Sequence, residues 1–153
     1  DIVAVANLQW TADHPSGTAA AAYTSEAGGS TEISVPGTFR RVNAGTWIQY
    51  SGLIVQNIGA AACNDFDVVW KDRAGATKLN YKDSLNPNIA HGYNTRVTSD
   101  LTPLANVADL GDDFRGSVTF TAPAGCELVA THSTVFPAWT DNSTYNGFAG
   151  SGN

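Results

Sequence analysis

Methionine is absent from this 153-residue chain, and charge is scarce: Asp, Glu, Lys and Arg make up 14% of the residues, roughly half the ordinary share. A chain that opens on Asp1 without any Met points to a processed or excised piece of a longer translation product. Basic residues are few, eight Lys and Arg against fourteen Asp and Glu for a net charge of −6. None form a run, so the counterion release that drives nucleic-acid binding is missing, and nucleic acid is not an expected partner. No apolar stretch approaches the ~20 residues a membrane-crossing helix needs, and no charged-then-apolar leader opens the chain. Histidine is limited to His14, His91 and His132, with no HExxH or other two-His spacing, and no Ser stands in G-x-S-x-G. Metal-assisted hydrolysis and acyl transfer have no visible machinery, so the chain is read as non-enzymatic and without a cofactor.

What fills the gap is Gly, Ala, Thr, Asn and Ser around short runs of Val, Ile, Thr and aromatics. Runs of that kind, separated by Gly, Asn, Asp and Pro clusters, indicate an all-β fold, an antiparallel β-sandwich of Ig-like general architecture. Strands are expected near Ile2–Leu8, Thr31–Val35, Gly45–Asn57, Asp65–Lys71, Thr77–Tyr81, Asn94–Ser99, Gly116–Ala122 and Glu127–Val135. Asp72-Arg73-Ala74-Gly75 reads as one hairpin turn and Pro123-Ala124-Gly125 as another, between the last two strands. The alanine run in Thr18–Tyr23 is short, uncapped and flanked by glycines, and is assigned to loop. Residues 1–30 thus form an N-terminal strand with a flexible connector, and 31–153 the sandwich domain.

The two cysteines, Cys63 and Cys126, each stand just before a strand-like run and can meet at one end of a sandwich. A disulfide between them is expected, and with it an oxidising compartment: secreted, extracellular or cell-surface. The chain ends carry a partial internal echo. Each has a strand, Ile2–Leu8 or Leu128–Thr131, then an irregular segment, then a tyrosine that leads an Ala-Gly pair by four residues: Tyr23 before Ala27-Gly28, Tyr145 before Ala149-Gly150. On that basis residues 1–30 correspond to the end of one repeat and 31–153 to the next. Either the piece comes from a tandem array, or its first strand (Ile2, Val3, Ala4, Val5, Ala6, Leu8) completes a neighbour's sheet. The alternative, a first strand that pairs inside its own domain, stays open.

Three stretches, Ile33-Ser34-Val35-Pro36-Gly37-Thr38-Phe39-Arg40-Arg41, Trp47 to Gly59 with its Val55-Gln56-Asn57-Ile58-Gly59 end, and Phe114-Arg115-Gly116-Ser117-Val118, together with Tyr145-Asn146-Gly147-Phe148, resemble a β-sandwich repeat of exported bacterial surface proteins from filamentous, thermophilic lineages. The resemblance spans about residues 33–148. It implies a secreted or surface-anchored, largely non-catalytic module, with no active site to carry over; the two cysteines and the long segment from Asn80 to Asp113 depart from it.

Three smaller features complete the inventory. Asp109, Asp112 and Asp113 form a compact acidic loop of the kind that can hold calcium, although a solvated turn is the simpler expectation. Asn142-Ser143-Thr144 is a glycosylation sequon at Asn142. Trp10, Phe136, Trp139 and Tyr145 lie in polar surroundings, where aromatic rings can stack on sugars or meet another subunit. The expected function is a structural subunit of a surface filament or array, its partners copies of itself; the alternative is a carbohydrate-binding or adhesin module whose partners are glycans.

Overall fold

The computed structural model describes residues 5–10, 19–24, 28–44, 47–96, 107–136 and 141–150. In chain order the strands are β1 (Val5–Trp10), β2 (Ala19–Thr24), β3 (Glu32–Ala44), β4 (Trp47–Asn57), β5 (Cys63–Asp72), β6 (Thr77–Leu85), β7 (Ala90–Asn94), β8 (Phe114–Thr121), β9 (Leu128–Phe136), β10 (Asp141–Asn146) and β11 (Phe148–Ala149), with one 3-10 turn at Val107–Leu110. The chain is all-β. A nine-stranded antiparallel sheet runs β10-β9-β4-β3-β8-β5-β6, with β7 added to β4 and β11 to β3; β1 and β2 form a separate two-stranded sheet.

The long strands change partners along their length. β4 gives Trp47–Tyr50 to β3, then Tyr50–Asn57 to β9 on one edge and Gly52–Gln56 to β7 on the other. β3 is expected to stop at Val35 but continues to Ala44, because its register shifts at Pro36/Thr38 and again at Arg40/Val42. Proline has no N–H for a ladder, and Gly37 takes the left-handed φ of +68° that such a bulge needs. As a result Tyr93 of β7 and Phe120 of β8, which are not ladder neighbours, meet with ring centroids 5.4 Å apart. Around them Val35, Val55, Phe66, Val68, Trp70, Val118 and Leu128 are fully buried. These side chains share one core, and the strands that supply them belong to one continuous hydrogen-bonded sheet.

The Cys63–Cys126 disulfide is present, with Cα atoms 5.4 Å apart. Beside it lies the physical reason for the Val-Gln-Asn-x-Gly string. Asn57 is fully buried; its Nδ2 donates to the carbonyls of Ala61 (2.8 Å) and Leu85 (3.1 Å), and its Oδ1 accepts from the Gly59 N–H at 3.0 Å. A Cβ on Gly59 would stand 3.2 Å from that oxygen, so the corner requires the Asn and favours the Gly.

Several local expectations are corrected. The stretch Thr18–Tyr23, expected to be loop, is strand from Ala19 onward: Ala19–Thr24 is β2, paired residue for residue with β1, so pairing overrides the weak β-propensity of alanine, and Thr18 lies outside the described residues. Pro123-Ala124-Gly125 does turn, with the Cys126 N–H donating to the Pro123 carbonyl at 3.2 Å. It is no hairpin, however, since β8 pairs with β3 and β5 while β9 pairs with β4 and β10. Of the strand expected at Asn94–Ser99, Asn94 closes β7 (Ala90–Asn94), Thr95 turns inward to hydrogen-bond Ser51 and Phe39, and residues 97–99 lie outside the described residues. Residues 141–144, part of the segment expected to be irregular ahead of Tyr145, belong to β10 (Asp141–Asn146), in register with β9. The Asp72–Gly75 turn is as expected: the Gly75 N–H donates to the Asp72 carbonyl at 2.9 Å with φ +84° at Gly75. N–H groups of Ala76 and Ala74 hold the Asp72 carboxylate below its ordinary pKa.

Candidate functional site

The segment expected to mediate assembly is in β1 from Val5 onward; Ile2, Val3 and Ala4 lie outside the described residues. Val5, Ala6 and Leu8 stand opposite Thr24, Tyr23 and Ala21 of the same chain, so the strand is not unpaired, and what remains for a neighbour is its other edge. β2 runs alongside β10, where the Thr144 hydroxyl donates to the Ala22 carbonyl at 2.7 Å. After the hairpin, Ser30 and Leu128 exchange two backbone hydrogen bonds of 2.9 Å, so the chain enters the main sheet at the start of β9.

Charge is distributed unevenly around this region. β4, β7 and β9 contain no Asp, Glu, Lys or Arg, whereas β5 and β6 carry Asp65, Asp67, Lys71, Asp72, Lys78, Lys82 and Asp83. On the outward side of the uncharged strands Ile54 is 55% exposed and stands opposite Gly92. A Cβ on Gly52 would meet nothing within 4 Å, and one on Gly92 only the Leu53 carbonyl oxygen at 3.9 Å.

Of the four aromatic candidates, Tyr145 is placed in detail. Its ring lies against His132, centroids 4.6 Å apart, with Phe148 at 6.2 Å, and its hydroxyl donates to the Pro36 carbonyl. It ties β10 to β3, and desolvation pushes its hydroxyl up to about 12. The backbones of Trp10 and Phe136 end β1 and β9, their side chains are outside the described set, and Trp139 lies outside the described residues altogether. Among the described residues the exposed aromatic ring is Phe148, 61% accessible, and nothing in its local sequence pattern distinguishes it from a core aromatic.

Behind Tyr145 is a sealed polar cluster that has no signature in sequence. His132 Nε2 and Ser51 Oγ share a 2.8 Å hydrogen bond, Ser51 Oγ also accepts from the Phe39 N–H at 2.9 Å, and Thr95 Oγ1 accepts from the Ser51 N–H at 2.8 Å. His132 Nδ1 is buried without a partner, and burial pushes the imidazole down to about 4, so it is neutral at pH 7. Ser51 and His132 are both buried. A serine nucleophile needs substrate at its hydroxyl, so this pair holds β4 to β9 instead.

A second cluster joins β6 to β7. The buried Asp83 carboxylate accepts from the Tyr93 hydroxyl at 2.5 Å, and its Oδ2 is 2.8 Å from His91 Nδ1; the Ser84 N–H donates to its Oδ1 at 2.7 Å. Desolvation raises the Tyr93 hydroxyl, with the Asp83 hydrogen bond acting in the same direction.

The acidic loop is matched by arginines. Asp112 faces Arg40 at 3.4 Å and Arg41 at 3.5 Å, and Asp113 faces Arg115 at 3.3 Å, so these carboxylates already have cationic partners; Asp109 is exposed. Among the described residues no group of three or more His, Cys, Asp or Glu is placed to hold a metal. The Asn142 backbone pairs with Val135 in β10. Among the described residues no helix is long and apolar enough to cross a membrane.

No family model matches the chain, and no curated protein does. Among solved structures, the crystal structure of Thermotoga maritima 1070 is similar, with a TM-score of 0.53 at 12% identity over 82% of this chain and 98% of that one. Identity at that level shows a shared fold alone.

Proposed function

We propose that this chain is a non-enzymatic structural unit of an extracellular assembly, a surface filament or array built from copies of itself, and that the N-terminal hairpin is the element that joins units. The observation that carries this is the hairpin's standing outside the nine-stranded sheet, with a ladder partner, among the described residues, on one side of β1 only. A two-stranded hairpin is marginally stable in water by itself; this one leans on β10 through β2, and a second strand that is mostly alanine offers little side-chain area to bury. Its open edge is also a template for a further strand. The uncharged strands β4, β7 and β9 support the same reading, since copies can meet there without bringing carboxylates together. The disulfide suits an oxidising, extracellular setting, and the resemblance of residues 33–148 to exported surface repeats points the same way.

Removal of residues 1–24 tests the proposal. The truncated chain should remain folded, judged by its far-UV circular dichroism and intact disulfide, while light scattering shows loss of the high-mass species formed by the full chain. Equal assembly by both chains would reject the hairpin as the joining element. The carbohydrate-binding alternative draws on the exposed Phe148 ring; a glycan array probed with the full chain and Phe148→Ala separates the two.

A further inference from the structure

The N-terminal hairpin repeats the C-terminal one pair for pair. In β1–β2 the cross-strand partners are Val5↔Thr24, Ala6↔Tyr23, Asn7↔Ala22, Leu8↔Ala21, Gln9↔Ala20 and Trp10↔Ala19. In β9–β10 they are Thr131↔Asn146, His132↔Tyr145, Ser133↔Thr144, Thr134↔Ser143, Val135↔Asn142 and Phe136↔Asp141. When Tyr23 is laid on Tyr145, all six pairs coincide, the Ala27-Gly28 and Ala149-Gly150 pairs coincide in sequence as well, and the sequence ahead aligns Asp1-Ile2-Val3-Ala4 with Glu127-Leu128-Val129-Ala130. The loops between the strands differ by four residues, a difference that costs little in closure entropy. The pattern of burial agrees. β9 turns Leu128, Ala130, His132 and Thr134 into the core, and the residues at those positions in the N-terminal stretch are Ile2, Ala4, Ala6 and Leu8, an uninterrupted apolar series. A one-residue slip would replace that series by Val3, Val5, Asn7 and Gln9.

In the main sheet this hairpin has a defined seat: β9 lies along Tyr50–Asn57 of β4, with His132 opposite Leu53 and Thr131 opposite Ile54. The chain therefore holds two hairpins of one design and a single β4 edge, which β9 already fills. We propose that residues 1–24 are a closing hairpin whose partner is the β4 edge, Tyr50–Asn57, of another copy of this chain, where it takes the place of that copy's own β9–β10 hairpin, with Ala6 opposite Leu53 and Val5 opposite Ile54. This rests on the assembling-unit reading and adds to it the partner and the register. Main-chain hydrogen bonds hold the added strand, and the apolar series fixes its register.

Two measurements on full-length chains test it. In the first, residues 127–150 are replaced by a second copy of residues 1–28. This chimera should fold with the Cys63–Cys126 bond formed and a thermal midpoint within about 10 °C of the parent, whereas the same graft shifted by one residue should not fold. In the second, a tagged chain carrying Ala130→Pro and His132→Pro, which breaks the β9 ladder and opens the β4 edge, should capture the untagged wild-type chain. Capture should fall at least tenfold when the untagged chain carries Ala6→Pro and Leu8→Pro. A chimera as unfolded as its shifted control overturns the equivalence of the hairpins, and a folded chimera without capture overturns the partner. If the parent still forms high-mass species in either case, the assembling-unit reading stands without this interface; a parent that stays monomeric beside a folded chimera and proline-sensitive capture rejects that reading alone.

Discussion

His132 makes the fold acid-sensitive in a way that one substitution can isolate. The imidazole is fully buried, is bonded through Nε2 to Ser51 and has no partner at Nδ1, so the folded protein holds it neutral and depresses its pKa from 6.5 to about 4. The unfolded chain, in contrast, takes up the proton near 6.5. Above pH 6.5 neither state binds it and His132 leaves stability independent of pH. Between 6.5 and about 4 the unfolded state binds more protons, so stability falls as pH falls, and below about 4 the loss is complete. At about 1.36 kcal/mol per pH unit that loss is about 3 kcal/mol, which for a domain of this size lowers the thermal midpoint by roughly 10 °C. The assay is urea denaturation of the wild type and of His132→Gln at pH 7.5 and pH 4. Carboxylates add their own pH dependence to both proteins, so the informative quantity is the difference between the two losses, expected at about 3 kcal/mol. Equal losses would show that the imidazole reaches solvent in the folded state, and the sealed cluster behind Tyr145 would be wrong.

Three further variants probe the frame. Cys63→Ser with Cys126→Ser should cost about 4 kcal/mol by the chain-entropy estimate for a bridge that spans 63 residues, and a loss under about 1 kcal/mol in urea would show that the bridge constrains little. Asn57→Ala strands two carbonyls and an N–H in a buried corner and should destabilise by about 2–4 kcal/mol; wild-type stability would mean that water replaces the side chain. Gly147→Ala puts a Cβ 2.6 Å from Ile33 Cγ2 and 3.1 Å from Ala130 Cβ, so a loss of about 1–3 kcal/mol is expected, with faster amide exchange at Gly150, whose N–H bonds to Glu32.

What could be seen in the sequence was whatever residue type alone decides. Alternating Val, Ile, Thr and aromatic runs mark β4, β5, β8 and β9, Asp72-Arg73-Ala74-Gly75 marks its turn, and two cysteines ahead of strand-like runs mark a bridge. Missed were the elements whose conformation depends on a partner. β2 is four alanines, Tyr and Thr, and β10 is Asp-Asn-Ser-Thr-Tyr-Asn; neither has an apolar alternation, and both are strands because they pair with β1 and β9. The β-branched residues around Thr95 drew the expected strand several residues past β7, whose inward residue is Tyr93 between His91 and Thr95. The tyrosine echo was visible as a spacing, but the matching of six residue pairs needed the ladders. His132 and Asp83 gave no signal, because only the fold brings Ser51 to the one and Tyr93 and His91 to the other.

Electron microscopy of the concentrated full chain bears most directly on the assembling role. Fibres or sheets with a repeat of one unit, absent when residues 1–24 are removed, are the expected result. Dispersed single particles of the 16.0 kDa chain at every concentration reached would contradict it.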